Sequence, residues 1–318
     1  MKLFKQGRTI KYLYKNFGAI FALKCFFLRC ISFQRYERFI YDYLSGFFAP
    51  VIEEYKNKGK EKYNKANSKN KVWTLWWQGE DEAPEIVRVC IESQRTAFSK
   101  IGADVVVLDK KNWNEYIDLP SHILEKVENG SITLTHFSDI IRATLLSQYG
   151  GLWIDATVYC TKPISDSRIL QSFFTVKTHK SSDSLTLRRW TGFLIGDCAG
   201  SQLFSFMREC FSFYWKQKNA LVAYLLIDYT IAIAVENFQE VRNAFESVPE
   251  NNTKIWSMLR KLNQPYDSLV WKEIKRNTTF LKLSYKDEFN GGALRERTKK
   301  GDLTNWGYIK GLAEQEYL

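Results

Sequence analysis

Histidine is scarce, three in 318 residues, and the six cysteines (Cys25, Cys30, Cys90, Cys160, Cys198 and Cys210) are scattered without a single CxxC pair. This spacing excludes zinc fingers and ribbons and leaves buried, reduced thiols as the expectation. Proline and glycine are few, 6 and 17, which excludes a collagen-like or low-complexity chain. A long apolar run is also missing. Residues 17–33 come nearest, but Lys24 and Arg29 interrupt them, short of the ~20 apolar residues that a spanning helix needs. No export signal is evident, and the expected location is the cytoplasmic side of a membrane.

What the chain has is aromatic and basic. Aromatics make up 15% and hydrophobic residues 45%, a composition that can bury a sizeable core. The net charge is +11, and it is uneven. Residues 1–50 hold nine basic residues (Lys2, Lys5, Arg8, Lys11, Lys15, Lys24, Arg29, Arg35, Arg38) against Glu37 and Asp42, a local charge of +7. Phe17, Ile20, Phe21, Phe26, Phe27, Leu28, Phe47 and Phe48 are mixed among them. A basic segment interleaved with large apolar residues suits an anionic membrane surface. Helices that pack as ordinary core, or a dimer interface, are the plainer reading. A nucleic-acid binder would more often spread its basic residues over a folded reading surface, and no nucleic-acid motif is present.

Three regions follow. Residues 1–55 read as two helices, and 56–71 as a Lys- and Asn-rich linker, so the expected division is a helical extension over 1–70 and a catalytic domain over 71–318. From Lys71 the chain alternates strand-like and helix-like runs, as α/β domains do. Residues 72–77 are β-prone and end at Gln78-Gly79. Pro84 opens a helix with Ile86, Val87, Cys90 and Ile91 on one face. Residues 104–109 read as a short buried strand, and Leu119-Pro120-Ser121 starts another helix. Residues 135–149 read as a helix stopped by Gly150-Gly151, and 152–154 as a strand that ends at Asp155.

The segment SDIIRATLLSQYGGLWIDATVYCTKP (138–163) concentrates the chemistry. Ser138 is a good helix N-cap, and Asp139 and Arg142, three apart, share a helix face. Asp155 follows at the carboxyl end of a strand, where open α/β sheets bind ligands. An aspartate and an arginine together can hydrogen-bond several sugar hydroxyls. A strand-end carboxylate can hold a divalent cation on a diphosphate. The simpler alternatives are a surface ion pair for Asp139 and Arg142 and a turn opener for Asp155. His136 reads as structural. Trp190, Asp197 and Asp228 are weaker candidates for an acceptor side.

This segment resembles the core motif of DXD-type sugar transferases: glycosyltransferase family 32, the large clostridial glucosylating toxins and, above all, the bacterial capsular polysaccharide synthesis proteins. Residues 72–79 with Glu80 and Pro84 are similar to the "IWxxWWQGxxxxP" start of the capsular family. Phe280-Leu281-Lys282-Leu283-Ser284-Tyr285-Lys286 is similar to its "KLTYK" segment. The resemblance spans about residues 70–290 and implies a GT-A fold with a Rossmann-like nucleotide-sugar site. It implies that Asp139 and Arg142 grip donor-sugar hydroxyls and that Asp155, first acid of the DXD motif, meets the ribose or sugar and a metal ion. It further implies that Trp76 or Trp77 stacks on the nucleobase; core packing is the competing reading of each.

Here the motif is Asp155-Ala156-Thr157, so a hydroxyl replaces the second acid, a weaker ligand for a hard cation. Mn²⁺ or Mg²⁺ is the cofactor that the resemblance implies. Lys282, Ser284 and Lys286 are candidates for meeting the diphosphate. The activity implied is retaining, alpha-forming transfer of Gal or Glc from a UDP-sugar to a lipid-linked oligosaccharide at the inner membrane face. The alternative is a non-catalytic sugar-nucleotide or glycan-binding subunit of a capsule assembly complex.

Overall fold

The computed structural model describes residues 10–57, 70–178, 185–186 and 189–315. Lys2, Lys5, Arg8 and most of the expected linker lie outside them.

The N-terminal region forms four helices rather than two: α1 (Ile10–Phe17), α2 (Ala19–Ile31), α3 (Phe33–Phe47) and α4 (Ala49–Asn57). Gly18, at φ 87°, separates the first pair. Ser32, whose hydroxyl accepts from the Arg35 amide, caps the start of α3. One face of this array joins the main core. Leu13, Ala22, Cys25, Ile40, Tyr41, Leu44, Phe48, Val51 and Ile52 are all buried there.

The β-prone run forms β1 (Lys71–Leu75), flanked by parallel β2 (Asp104–Leu108) and β3 (Gly151–Ile154). Strands β6 (Leu194–Asp197) and β5 (Phe174–Thr175) continue the sheet antiparallel, in the order β2-β1-β3-β6-β5. The fold is mixed α/β. β2 is an edge strand whose first residue, Asp104, is exposed, so it is only half buried. Trp76 and Trp77 lie past the end of β1, in a turn closed by the Gly79 amide on the Trp76 carbonyl. A separate two-stranded antiparallel sheet pairs β4 (Val158–Cys160) with β7 (Phe280–Lys282), about 120 residues apart in the chain, with Val158 opposite Lys282.

Helices cover both faces of the sheet. On one side α7 (Leu134–Tyr149), α8 (Gln202–Gln217) and α9 (Leu226–Asn237) pack with Trp73, Trp153 and Ile195. On the other, α5 (Glu85–Ser99) brings Ala97 and Phe98 against Val72, Leu152, Ile154 and Leu194. The alternation along β3 divides its side chains between these layers. α5 starts directly after Pro84, with Glu85 in its first turn to favour the helix dipole. α6 (Ser121–Glu128) follows Pro120 in the same way.

The start of α7 differs from the sequence expectation. Thr133, not Ser138, is the N-cap, its hydroxyl accepting from the His136 amide. Asp139 and Arg142 therefore sit in the second and third turns, not at the helix N-terminus. The Gly-Gly stop behaves as expected and adds a reason. Gly150 (φ 64°) ends the helix, and a Cβ on Gly151 (φ 89°) would lie 2.3 Å from the Lys71 carbonyl oxygen. A side chain there would push β3 away from β1.

Candidate active site

Asp155 is the first residue past β3, and the sheet aims it. Its amide donates to the Phe193 carbonyl at 2.9 Å, and the Val158 amide returns to its carbonyl at 2.9 Å. Buried Gln94, on α5, spans the same turn by donating to the carbonyls of Asp155 (3.1 Å) and Val158 (2.8 Å). The carboxylate is held from three sides. Trp153 Nε1 reaches Oδ1 at 3.0 Å, Arg142 Nη2 reaches Oδ1 at 3.4 Å, and Lys282 Nζ reaches Oδ2 at 2.7 Å. The side chain stays 30% exposed, so it is the part of the cluster open to a ligand. Burial pushes this carboxyl up, but Lys282 and then Arg142 outweigh it and hold it below the usual carboxylate range.

Arg142 ties this acid to the helix. Its Nη1 donates to Asp139 Oδ1 at 3.0 Å, and its guanidinium lies 4.7 Å from the Trp153 ring centroid. The Arg142 side chain is only 6% exposed. Asp139 is also approached by buried His136, whose Nδ1 is 3.3 Å from Oδ2. Arg142 Nε and His136 Nε2 are buried with no hydrogen-bond partner. Two more residues close the cluster. Asp228, in the first turn of α9, accepts from Trp190 Nε1 at 3.0 Å. Burial pushes its carboxyl up to about 6, with Asp139 adding to the rise. Gly192 leaves room for Arg142 and for Ile227 of α9, whose nearest atoms would each lie 3.5 Å from a Cβ placed there.

Lys282 enters from the far end of the chain on β7. Besides Asp155, its ammonium donates to Thr157 Oγ1 at 2.8 Å and lies 4.8 Å from the Phe193 ring centroid. The structure therefore gathers Asp139, Arg142, Asp155, Thr157 and Lys282. Ala156, between Asp155 and Thr157 in the chain, is buried. Ser284 and Lys286 stand further along the same segment: the Ser284 hydroxyl accepts from the Lys286 amide at 3.2 Å, and Lys286 is exposed. The two tryptophans diverge. Trp77 meets Phe137 edge-on (5.6 Å) in the main core, whereas Trp76 meets the exposed Tyr285 (5.2 Å) beside the Lys282 segment. Asp197 belongs elsewhere. It pairs with Gly151 at the opposite end of β3, where its carboxylate accepts from the Cys198 amide and the Ser201 hydroxyl.

The residues suit a divalent cation poorly. Among the described residues no group of three His, Cys, Asp or Glu could hold a metal ion. At Asp155 both carboxylate oxygens already accept protein donors, and an ammonium stands between the acid and Thr157. A cavity of about 960 Å³, lined by residues that include Lys162, Arg168, Asp197 and Asn251, contains none of the residues gathered around Asp155.

Sequence reasoning missed Trp153, Gln94 and Phe193. Trp153 lay within the 138–163 segment and could have been found there. Gln94 and Phe193 act through a backbone turn and a ring face, and neither leaves a pattern.

The chain matches the capsular polysaccharide synthesis protein family over residues 26–296. It belongs to that family. The match begins inside α2, so the family includes most of the N-terminal helices as well as the sheet. No curated protein matches the chain. A solved structure described as PaToxG glycosyltransferase aligns with 83% of this chain and 95% of its own, at 12% identity and a TM-score of 0.37, too distant for residue-level correspondence. No helix among the described residues is long and apolar enough to cross a membrane.

Proposed function

We propose that this capsular family member is a glycosyltransferase. It moves a hexose, glucose or galactose, from a UDP-sugar to a lipid-linked oligosaccharide, with retention and an alpha linkage. The supporting observation is the convergence on Asp155: one open carboxylate at the carboxyl end of β3, joined to Arg142 and Asp139 on one side and Lys282 on the other. Parallel α/β strands place ligands at that edge, and the sheet fits the nucleotide-binding half of a GT-A fold.

In this reading Asp155 contacts the ribose or donor sugar. Asp139 and Arg142 hold sugar hydroxyls. Both are nearly buried, so a hydroxyl that reaches them is shielded from water and its charge-assisted bonds are strong. Trp76 is the indole that stacks on the base, since Trp77 is committed to Phe137. Thr157, Ser284 and Lys286 flank the diphosphate. The acceptor hydroxyl attacks from the face the diphosphate leaves, and the departing phosphoryl oxygen takes the acceptor's proton. No side chain is then needed as general base.

The N-terminal helices fit the acceptor's location. Ile20, Leu23, Phe27 and Ile31 form one stripe along α2, each between 52% and 75% exposed, at spacings that keep them on one helix face. Lys11, Lys15, Lys24 and Arg35 on the first three helices are exposed as well. An exposed apolar stripe on basic helices is what an anionic lipid surface binds, and it would hold the enzyme near a lipid-linked glycan at the inner membrane face.

Calorimetric titration with UDP and GDP tests the donor assignment. UDP is expected to bind with a Kd at or below the millimolar range, and Trp76→Ala to weaken it about tenfold or more. Failure of both nucleotides to bind wild-type protein overturns the reading.

A further inference from the structure

We propose that Lys282 is the cation of this active site, so that transfer proceeds without a bound metal ion. The inference rests on the transferase reading above and goes beyond it.

A nucleoside diphosphate leaves as an anion, and its developing charge needs a positive partner held in place. A pair of aspartates with a divalent cation is one such arrangement, with no net charge. Asp155 and Lys282 reach the same balance with one acid and one ammonium. Thr157 is consistent with this. A second carboxylate there would leave the group negative, whereas a hydroxyl accepts from Lys282 Nζ at 2.8 Å and adds no charge.

Lys282 is positioned as a fixed group is. It is the last residue of β7, held opposite Val158 in the β4–β7 register, and its amide donates to the Ile255 carbonyl at 2.8 Å. Its side chain is only 17% exposed and lies against the Phe193 ring. Lysine carries three N–H donors. Asp155 Oδ2 and Thr157 Oγ1 take two, and the third is left for a phosphoryl oxygen. Lys286, four residues on, is exposed and shares none of these contacts.

The step balances without another reactant. The bond from the anomeric carbon to the diphosphate oxygen breaks, and its electron pair stays on that oxygen. The acceptor oxygen bonds to the anomeric carbon, and the acceptor's proton passes to the diphosphate. Lys282 keeps its protons throughout and stabilises the charge by donating an N–H.

The test uses the full chain and a panel of UDP- and GDP-sugars, followed by release of free sugar. Wild-type turnover in EDTA is expected to equal that in Mn²⁺ within about twofold. Lys282→Met is expected to fall about 10²–10³-fold in both conditions and to bind UDP more weakly in EDTA. Lys282→Arg, which keeps the charge and serves as a folding control, should retain more activity than Lys282→Met. Wild-type activity that vanishes in EDTA and returns with Mn²⁺ overturns this proposal while leaving the transferase reading intact. So does a folded Lys282→Met protein with wild-type rates. Wild-type protein that turns over no sugar nucleotide in either condition overturns both.

Discussion

Arg142 answers to two carboxylates with one guanidinium, Nη1 to Asp139 and Nη2 to Asp155. A lysine there keeps the charge but offers a point rather than a planar fork. Arg142→Lys is therefore expected to lose about 1–3 kcal/mol of stability as well as turnover; a thermal melt beside a donor-hydrolysis assay reads both, and a variant unchanged in each would clear Arg142 of any role. Asp228 sets a pH signature. Its folded value is raised to about 6, so the folded chain binds more protons than the unfolded one between the ordinary aspartate value and about 6. Stability from this group thus falls as pH rises through that window and levels above it. Asp228→Asn keeps an acceptor for Trp190 and removes the titration. It is expected to gain stability relative to wild type above pH 6 and to lose the advantage near pH 4. Asp155 works in the opposite sense. Its folded value is depressed, so its contribution is present above the unfolded carboxylate range and lost as pH falls through the folded value. Asp139, Arg142 and Asp155 were legible in the sequence because one helix, one turn and one strand carry them in a single run. Lys282 was named only as a candidate for meeting the diphosphate, and its contact with Asp155, 127 residues away, was not foreseen, because pairing between strands distant in the chain leaves no local pattern.

At the level of elements, the turn that carries Asp155 hangs from α5 by Gln94. Gln94→Leu leaves the Asp155 and Val158 carbonyls without that donor in a buried place, a loss of about 1–3 kcal/mol. Turnover should fall further than stability does, because the turn that aims Asp155 loosens. Comparing the two in one variant checks this, and equal losses would make Gln94 merely structural. Gly196 guards the joint between β3 and β6. A Cβ there would meet the Gly151 carbonyl oxygen at 2.3 Å and Leu152 Cα at 2.9 Å. Gly196→Ala is expected to cost about 1–3 kcal/mol by urea unfolding. Strands β1 and β3 and helices α5 and α7 were readable from β-branched runs, Pro84 and Gly150-Gly151. The cap of α7 was not. Ser138 and Thr133 are both good caps by residue type, and what decides for Thr133 is burial of His136 and Phe137 one turn earlier. The N-terminal helix count was misread for a related reason, since nothing apolar or charged changes at Gly18 or Ser32, and only the backbone turns there.

Across the whole molecule, the N-terminal helices have two distinct faces. Their inner face is part of the main core, so they cannot be cut away without disturbing the sheet. Their outer stripe is exposed among the described residues, and the proposed lipid contact would use it. Ile20→Glu with Phe27→Glu keeps the inner face intact and places two acids among the cations. Wild-type protein is expected to cosediment with phosphatidylserine-containing vesicles at low salt and less at high salt. The double variant should stay in solution with its melting temperature nearly unchanged. Equal vesicle binding by both proteins would return the stripe to a protein–protein role. The uneven charge of residues 1–50 suggested this surface. The pattern of charge could not say which aromatic residues face outward, because that depends on how α2 is rotated against α3.

The most direct measurement is release or transfer of sugar from UDP-hexoses by wild-type protein beside Asp155→Ala. At Asp155 the carboxyl end of β3, the α7 residue Arg142 and the β7 residue Lys282 meet. Wild-type protein should release glucose or galactose well above the no-enzyme rate, and Asp155→Ala, folded by circular dichroism, should fall to that background. A folded Asp155→Ala protein that turns over donor at the wild-type rate would contradict the assignment of this cluster as the active site.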